Sequence, residues 1–156
     1  MNISSFRRAF YIIICSISLY SCASFPVDSE GTLERARGDE LVVGISENKP
    51  WTQTSGTGRY SGIEVDLIEG FADTIDSDVK WLHAPESVLA EKIKNGQLDL
   101  MIGGLSSSSP WSSHMALSRP YHKFDGEEKV MGIRLGENDL MMALERYLAH
   151  EFGEIR

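Results

Sequence analysis

Ser106 to Ser109, four hydroxyls in a row, form the most chemically able cluster in the sequence. Gly103 and Gly104 precede them; Pro110 and Trp111 follow. Hydroxyls donate and accept hydrogen bonds, and a glycine pair lets a ligand or a second backbone come close because no Cβ intrudes. Ser109 before Pro110 is also a helix start, since serine caps and proline lacks the N–H that a first turn leaves unpaired. This chemistry suits the holding of a small polar ligand rather than its transformation. A serine nucleophile on an elbow needs Gly-x-Ser-x-Gly with acid and histidine partners. Gly104-Leu105-Ser106-Ser107-Ser108 lacks the second glycine. His83, His114, His122 and His150 lack the i, i+4 or short-gap spacing of metal ligands. No catalytic set, metal or cofactor is expected.

Around that loop stand the other candidates. The backbone of Gly104 and Leu105 and the hydroxyls of Ser106 and Ser107 offer several hydrogen bonds to a ligand, though the same groups serve simple loop solvation. Trp51 follows Pro50 where an indole can cover a ligand face or a cation, or pack as a core aromatic. Trp111 is a second wall or an exposed side chain. Glu47 pairs with a ligand ammonium or is a surface carboxylate.

The elements that must position these residues alternate between strand and helix. Glu40 to Ser46 is a nearly all-apolar strand, as in the middle of a parallel sheet. Glu47 to Ser61, with Pro50, Gly56 and Gly58, reads as a loop. Ser61-Gly62-Ile63-Glu64 fits a capping box, and Ile63, Leu67, Phe71 and Ile75 recur at helical spacing. Asp78 to His83 is a strand; Pro85 and Glu86 open a helix whose natural stop is Gly96. Leu98 to Ile102 is a buried strand leading into the serines, and Met115 to Ser118 a brief one after them. His122 to Lys129 reads as a polar turn and Val130 to Ile133 as a further strand. A last amphipathic helix carries Leu140, Leu144, Tyr147, Leu148 and Phe152, with Asn138 as its cap. The β-α-β-α-β order predicts an α/β fold, a mostly parallel sheet with helices on both faces.

At 156 residues the sequence is enough for one ordinary domain. Its formal charge of −8 argues against nucleic acid, whose phosphates want a basic stripe, so no nucleic-acid partner is expected. Residues 1–21 differ in kind: Arg7 and Arg8 precede an apolar core, Ala9 to Leu19, too short for the roughly 20 residues of a membrane-spanning helix. They read as a secretory signal. Leu19-Tyr20-Ser21-Cys22 resembles the bacterial lipobox, which implies cleavage before Cys22 and lipid attachment to it, against an ordinary signal cut a few residues later. Cys15 leaves with the signal, so Cys22 is an odd exported thiol, and acylation explains it. Residues 22–38 then read as a tether and 39–156 as the domain.

With that layout, the chain resembles the family 3 extracellular solute-binding proteins of bacterial ABC importers, which have the type II periplasmic-binding fold. The resemblance rests on LVVGISENKPW, YSGIEVDLIEGFA, IKNGQLDLMIGGLSSSSPW and MALSRPY, in that order. Ile63 and Glu64 replace that family's usual phenylalanine and aspartate. Ser109-Pro110-Trp111-Ser112 stands where amino-acid binders carry an arginine that grips the ligand carboxylate. The resemblance implies two lobes, the second inserted after Tyr121. Here only eight residues separate Tyr121 from Val130, so the expectation is a single lobe with its partner missing. It further implies a membrane-tethered receptor lobe that binds an amino acid, amine or small acid at the carboxyl ends of the strands, with an ABC permease as partner. A homodimer would cover the open groove. The alternative is a protein-interaction or sensory lipoprotein that has lost solute binding and uses Trp51 and Trp111 as a contact patch.

Overall fold

The computed structural model describes residues 28–56 and 58–153. The expected signal 1–21, Cys22 and the tether as far as residue 27 lie outside the described residues. In chain order the first elements are α1 (Thr32–Ala36), β1 (Glu40–Ile45), β2 (Gln53–Thr54), β3 (Tyr60–Ser61), α2 (Ile63–Thr74) and β4 (Asp78–His83). Then come α3 (Glu86–Lys94), β5 (Leu100–Ile102), a 3₁₀ turn (Pro110–Ser113) and β6 (Ala116–Leu117). The chain closes with β7 (His122–Phe124), β8 (Glu127–Lys129), β9 (Gly132–Ile133) and α4 (Asn138–Phe152). No helix among the described residues is long and apolar enough to cross a membrane.

Five strands lie in the order β4-β1-β5-β9-β6. β1 pairs in parallel with β4 and with β5, while β9 runs antiparallel to both β5 and β6. Alternation along β1 and β5 divides the core between two faces. Leu41, Val43, Ile45, Leu100 and Ile102 face Phe71 and Ile68 of α2 and Leu140 and Leu144 of α4. Met101 faces Leu89, Ala90 and Ile93 of α3, with Leu98, Leu105 and Met115. An α/β lobe with helices on both faces is therefore what forms. After the hairpin β7–β8 the chain folds straight back, setting Ile133 opposite Leu100 and Gly132 opposite Met101.

Several expectations need correction. Residues 28–38 are not tether. α1 buries Thr32 and Ala36 completely, and two carboxylates exchange caps between the ends of the lobe. Asp28 Oδ1 accepts from the N–H groups of Asp139 (2.6 Å) and Leu140 (3.1 Å), while Oδ2 accepts from Leu33 N–H. Glu137 accepts from the N–H groups of Glu30 and Thr32, each at 3.0 Å. α4 begins at Asn138 itself, so its cap comes from Asp28 across space and not from the asparagine. Arg35 also reaches Asp99 at 2.6 Å, and Asp99 accepts from Val42 N–H at 2.9 Å. The lobe thus starts by Asp28 rather than residue 39, because short polar residues there satisfy helix ends that water would otherwise serve.

The capping box is absent: α2 starts after Gly62 with no side-chain cap, Ser61 lies in β3, and Ile63 is exposed at 41%. Segment 47–61 contains the small β2–β3 hairpin. Residues 122–129 form a hairpin rather than a plain turn, with His122 opposite Lys129, Lys123 opposite Glu128 and Phe124 opposite Glu127. Asp125 (φ 50°) and Gly126 (φ 81°) both take left-handed backbone at its tip. Two residues with positive φ match the right-handed twist of the flanking strands, and Asp-Gly is a favoured pair for that turn.

Candidate functional site

The carboxyl ends of β1 and β5 lie side by side, and the serine loop leaves β5 there. Gly103 and Gly104 turn the chain so that their N–H groups converge, and both donate to Glu64 Oε2 at 2.8 Å. The other oxygen, Oε1, accepts from the Tyr121 phenol at 2.5 Å. Glu64 has no exposed surface, so an acid of this chain fills the anion-binding concavity that two successive N–H groups make. Burial pushes the Glu64 carboxyl above its ordinary value of 4.5, opposed by the Tyr121 hydroxyl, the two glycine N–H groups and the charge of Lys129. Burial and the facing carboxylate likewise raise the Tyr121 phenol, which stays a protonated donor.

Trp51 is only 3% exposed. Its indole meets Tyr121, His122 and Phe124, with ring centroids 6.3, 5.6 and 5.7 Å away. Gly104 is glycine for two reasons: its φ is +65°, and a Cβ there would stand 2.4 Å from Trp51 and 2.7 Å from Asn48. Asn48 Nδ2 in turn donates to the Gly103 carbonyl at 2.8 Å. The hairpin lies over this floor. Val130 N–H donates to the Leu105 carbonyl and Ser107 N–H to the Glu128 carbonyl, each at 3.0 Å. Ser106 forms a bridge with Lys129.

The seven residues expected to bind ligand therefore fall into four groups. Ser106 and Ser107 border a depression of about 270 Å³ shared with Ser108, Gly126, Glu127 and Glu128, and Ser107 Oγ donates to Glu128 at 3.3 Å. Glu47 is exposed, accepting from Thr54 Oγ1 at 3.4 Å. Gly104, Leu105 and Trp51 are built into the floor: the Gly104 N–H and carbonyl and the Leu105 carbonyl already have partners in the chain. Trp111 lies apart from this group. It packs against the α3-side core, its Nε1 donating to Glu86, whereas Trp51 belongs to the opposite core cluster. With Trp51 buried, the expected patch of two exposed tryptophans does not form.

Four residues that matter here, Glu64, Asp125, Gly126 and Lys129, escaped the sequence reading. Glu64 falls at i, i+4, i+7 and i+11 with Ile68, Phe71 and Ile75, an acid on the buried stripe, which is the signal that marks it. Asp125-Gly126 between His122-Lys123-Phe124 and Glu127-Glu128-Lys129 is a hairpin signal. Nothing local marks Lys129, whose ammonium meets Trp51 and Gly104 from elsewhere in the chain as well as the nearby Glu127. Among the described residues no group of three or more His, Cys, Asp or Glu side chains is arranged to hold a metal.

A model of the bacterial extracellular solute-binding proteins, family 3, matches residues 41–144. No curated protein matches the chain. Among solved structures, an arginine-bound point mutant of domain 1 from TmArgBP superposes with a TM-score of 0.67 at 21% identity, covering 78% of this chain and 96% of that one. An ancestral cationic amino acid solute binding protein gives 0.64 at 13% identity, over 78% and 92% of the two chains. An ancestral cyclohexadienyl dehydratase gives 0.54 at 20%, over 65% and 42%. At these identities the likeness is one of fold.

Proposed function

The chain belongs to the bacterial extracellular solute-binding proteins, family 3, and from that premise we propose that it is an exported, membrane-tethered receptor lobe of an ABC-type importer. It holds a small polar solute at the carboxyl ends of its strands and does not transform it. The observation that carries this reading is the rim of the 270 Å³ depression, where the Ser106 and Ser107 loop meets Glu127 and Glu128. Hydroxyls beside carboxylates suit a solute with an ammonium or guanidinium group. The structural neighbours titled as arginine-bound or cationic amino-acid binding support the same class. Glu64 keeps both oxygens on groups of its own chain, so it is not offered to a substrate. Lipid on Cys22, after removal of residues 1–21, is the tether, and the permease is the partner.

A single lobe leaves half the solute in water. Affinity no better than about millimolar is expected, roughly 4 kcal/mol. Calorimetry of the purified chain against amino acids, amines and small acids measures it, and micromolar binding by a monomer contradicts the half-open seat. Labelled palmitate that still enters a Cys22→Ala variant contradicts the lipid assignment. The second reading is an interaction or sensory lipoprotein without solute binding, favoured by the burial of Trp51 beneath the hairpin. Empty solute screens together with a captured partner protein would support it.

A further inference from the structure

Strand period two puts His122, Phe124, Glu127 and Lys129 of the β7–β8 hairpin on one face, and the contacts show that this face meets Trp51. Lys129 retains 6% of its surface. Its ammonium stands 5.7 Å from the centre of the Trp51 ring, 3.3 Å from the Gly104 carbonyl and 2.8 Å from Glu127 Oε2. An aromatic face, a carbonyl and a carboxylate around one buried cation make a complete seat for an organic ammonium, since such a charge is tolerated away from water only when paired. The hairpin, which takes the place of an inserted lobe, brings that ammonium from inside the chain.

We infer that the Trp51–Gly104–Glu127 seat is a recognition site for primary ammonium or guanidinium groups, occupied in the resting lobe by the side chain of Lys129 as a tethered ligand. The inference rests on the solute-binding reading of the groove and adds its regulation: a free cation enters only by displacing Lys129. The lobe thus keeps its seat filled when no solute is present, and the Lys129 side chain is the part that yields.

Chemical complementation tests this. Lys129→Ala removes a propylammonium-sized group, so propylammonium is the probe, 1-propanol its uncharged control, and Lys129→Met a variant that keeps the space filled. At 100 mM probe and a dissociation constant of about 10 mM, the Lys129→Ala melting temperature rises by about 4 °C. The wild type responds more weakly, because the probe must first displace Lys129, Lys129→Met does not respond, and 1-propanol has no effect. A folded Lys129→Ala chain that ignores propylammonium overturns the inference, as does an equal response to 1-propanol. A wild type that responds as strongly also overturns it while leaving the solute-binding reading intact. Conversely, empty solute screens with the wild type remove that reading without touching the complementation result. Should Lys129→Ala fail to fold, reductive methylation of the wild type decides. Lys129 is expected to react at least tenfold more slowly than exposed Lys94, and equal rates sink the proposal.

Discussion

Glu64 is the residue on which the floor of the site depends. Its carboxylate collects the Gly103 and Gly104 N–H groups and the Tyr121 hydroxyl, joining α2, the serine loop and the start of the hairpin. Glu64→Ala strands all three donors in the core and is expected to cost about 3 kcal/mol or more in urea denaturation. Glu64→Gln keeps an acceptor and costs less, about 1–2 kcal/mol. The pH dependence follows from the direction of the shift. Glu64 has a folded-state value above its ordinary 4.5, so its contribution is full below that value and is lost as pH rises through the raised one. The stability advantage of wild type over Glu64→Gln should therefore shrink from acid to neutral pH. An advantage that grows over the same range would show that the three donors outweigh burial.

At the scale of elements, two devices fix the lobe. The first is the β7–β8 turn, where both tip residues adopt positive φ. Gly126→Val forces a β-branched residue into that region and should cost about 1–2 kcal/mol, with amides of residues 122–129 losing exchange protection before the sheet does. Uniform loss across the lobe would mean the hairpin does not open by itself. The second device is the exchange of caps between α1 and α4. Asp28→Ala and Glu137→Ala each remove the acceptor for two or more backbone N–H groups, and about 1 kcal/mol apiece is expected from chemical denaturation. Values near zero would mean that water replaces the carboxylates without loss.

The described residues form a lobe whose two ends are sewn together. Asp28 reaches α4, Glu137 reaches α1, and Arg35 reaches Asp99 beside the sheet. A chain beginning at Asp39 loses all three links and the burial of Ala36. It should unfold at a clearly lower urea concentration than one beginning at Asp28, and equal midpoints would restore the tether reading of residues 28–38. The same closure covers the core of the lobe. The hairpin covers the Trp51 ring, and β9 with β6 completes the sheet beside β5.

Much of this was legible from the residues alone. Apolar runs and helical stripes specify β1, β5, α2, α3 and α4, because burial of one face is a property of spacing along the chain. The eight residues between Tyr121 and Val130 are too few for a second lobe, and that too can be counted. Sequence spacing does not determine which carboxylate meets which N–H. Glu64 looked like half of a capping box, but the nearest unpaired donors were those of a loop thirty-nine residues away. Asn138 looked like a cap, but Asp28 arrived from the other end of the chain. Trp51 looked like a wall of an open groove, and Lys129 had no visible role. Only the return of β9 to the sheet lays the hairpin over the indole and sets that ammonium beside it. Local pattern decides what is buried, whereas the pairing of buried polar groups depends on distances that exist only once the chain has closed.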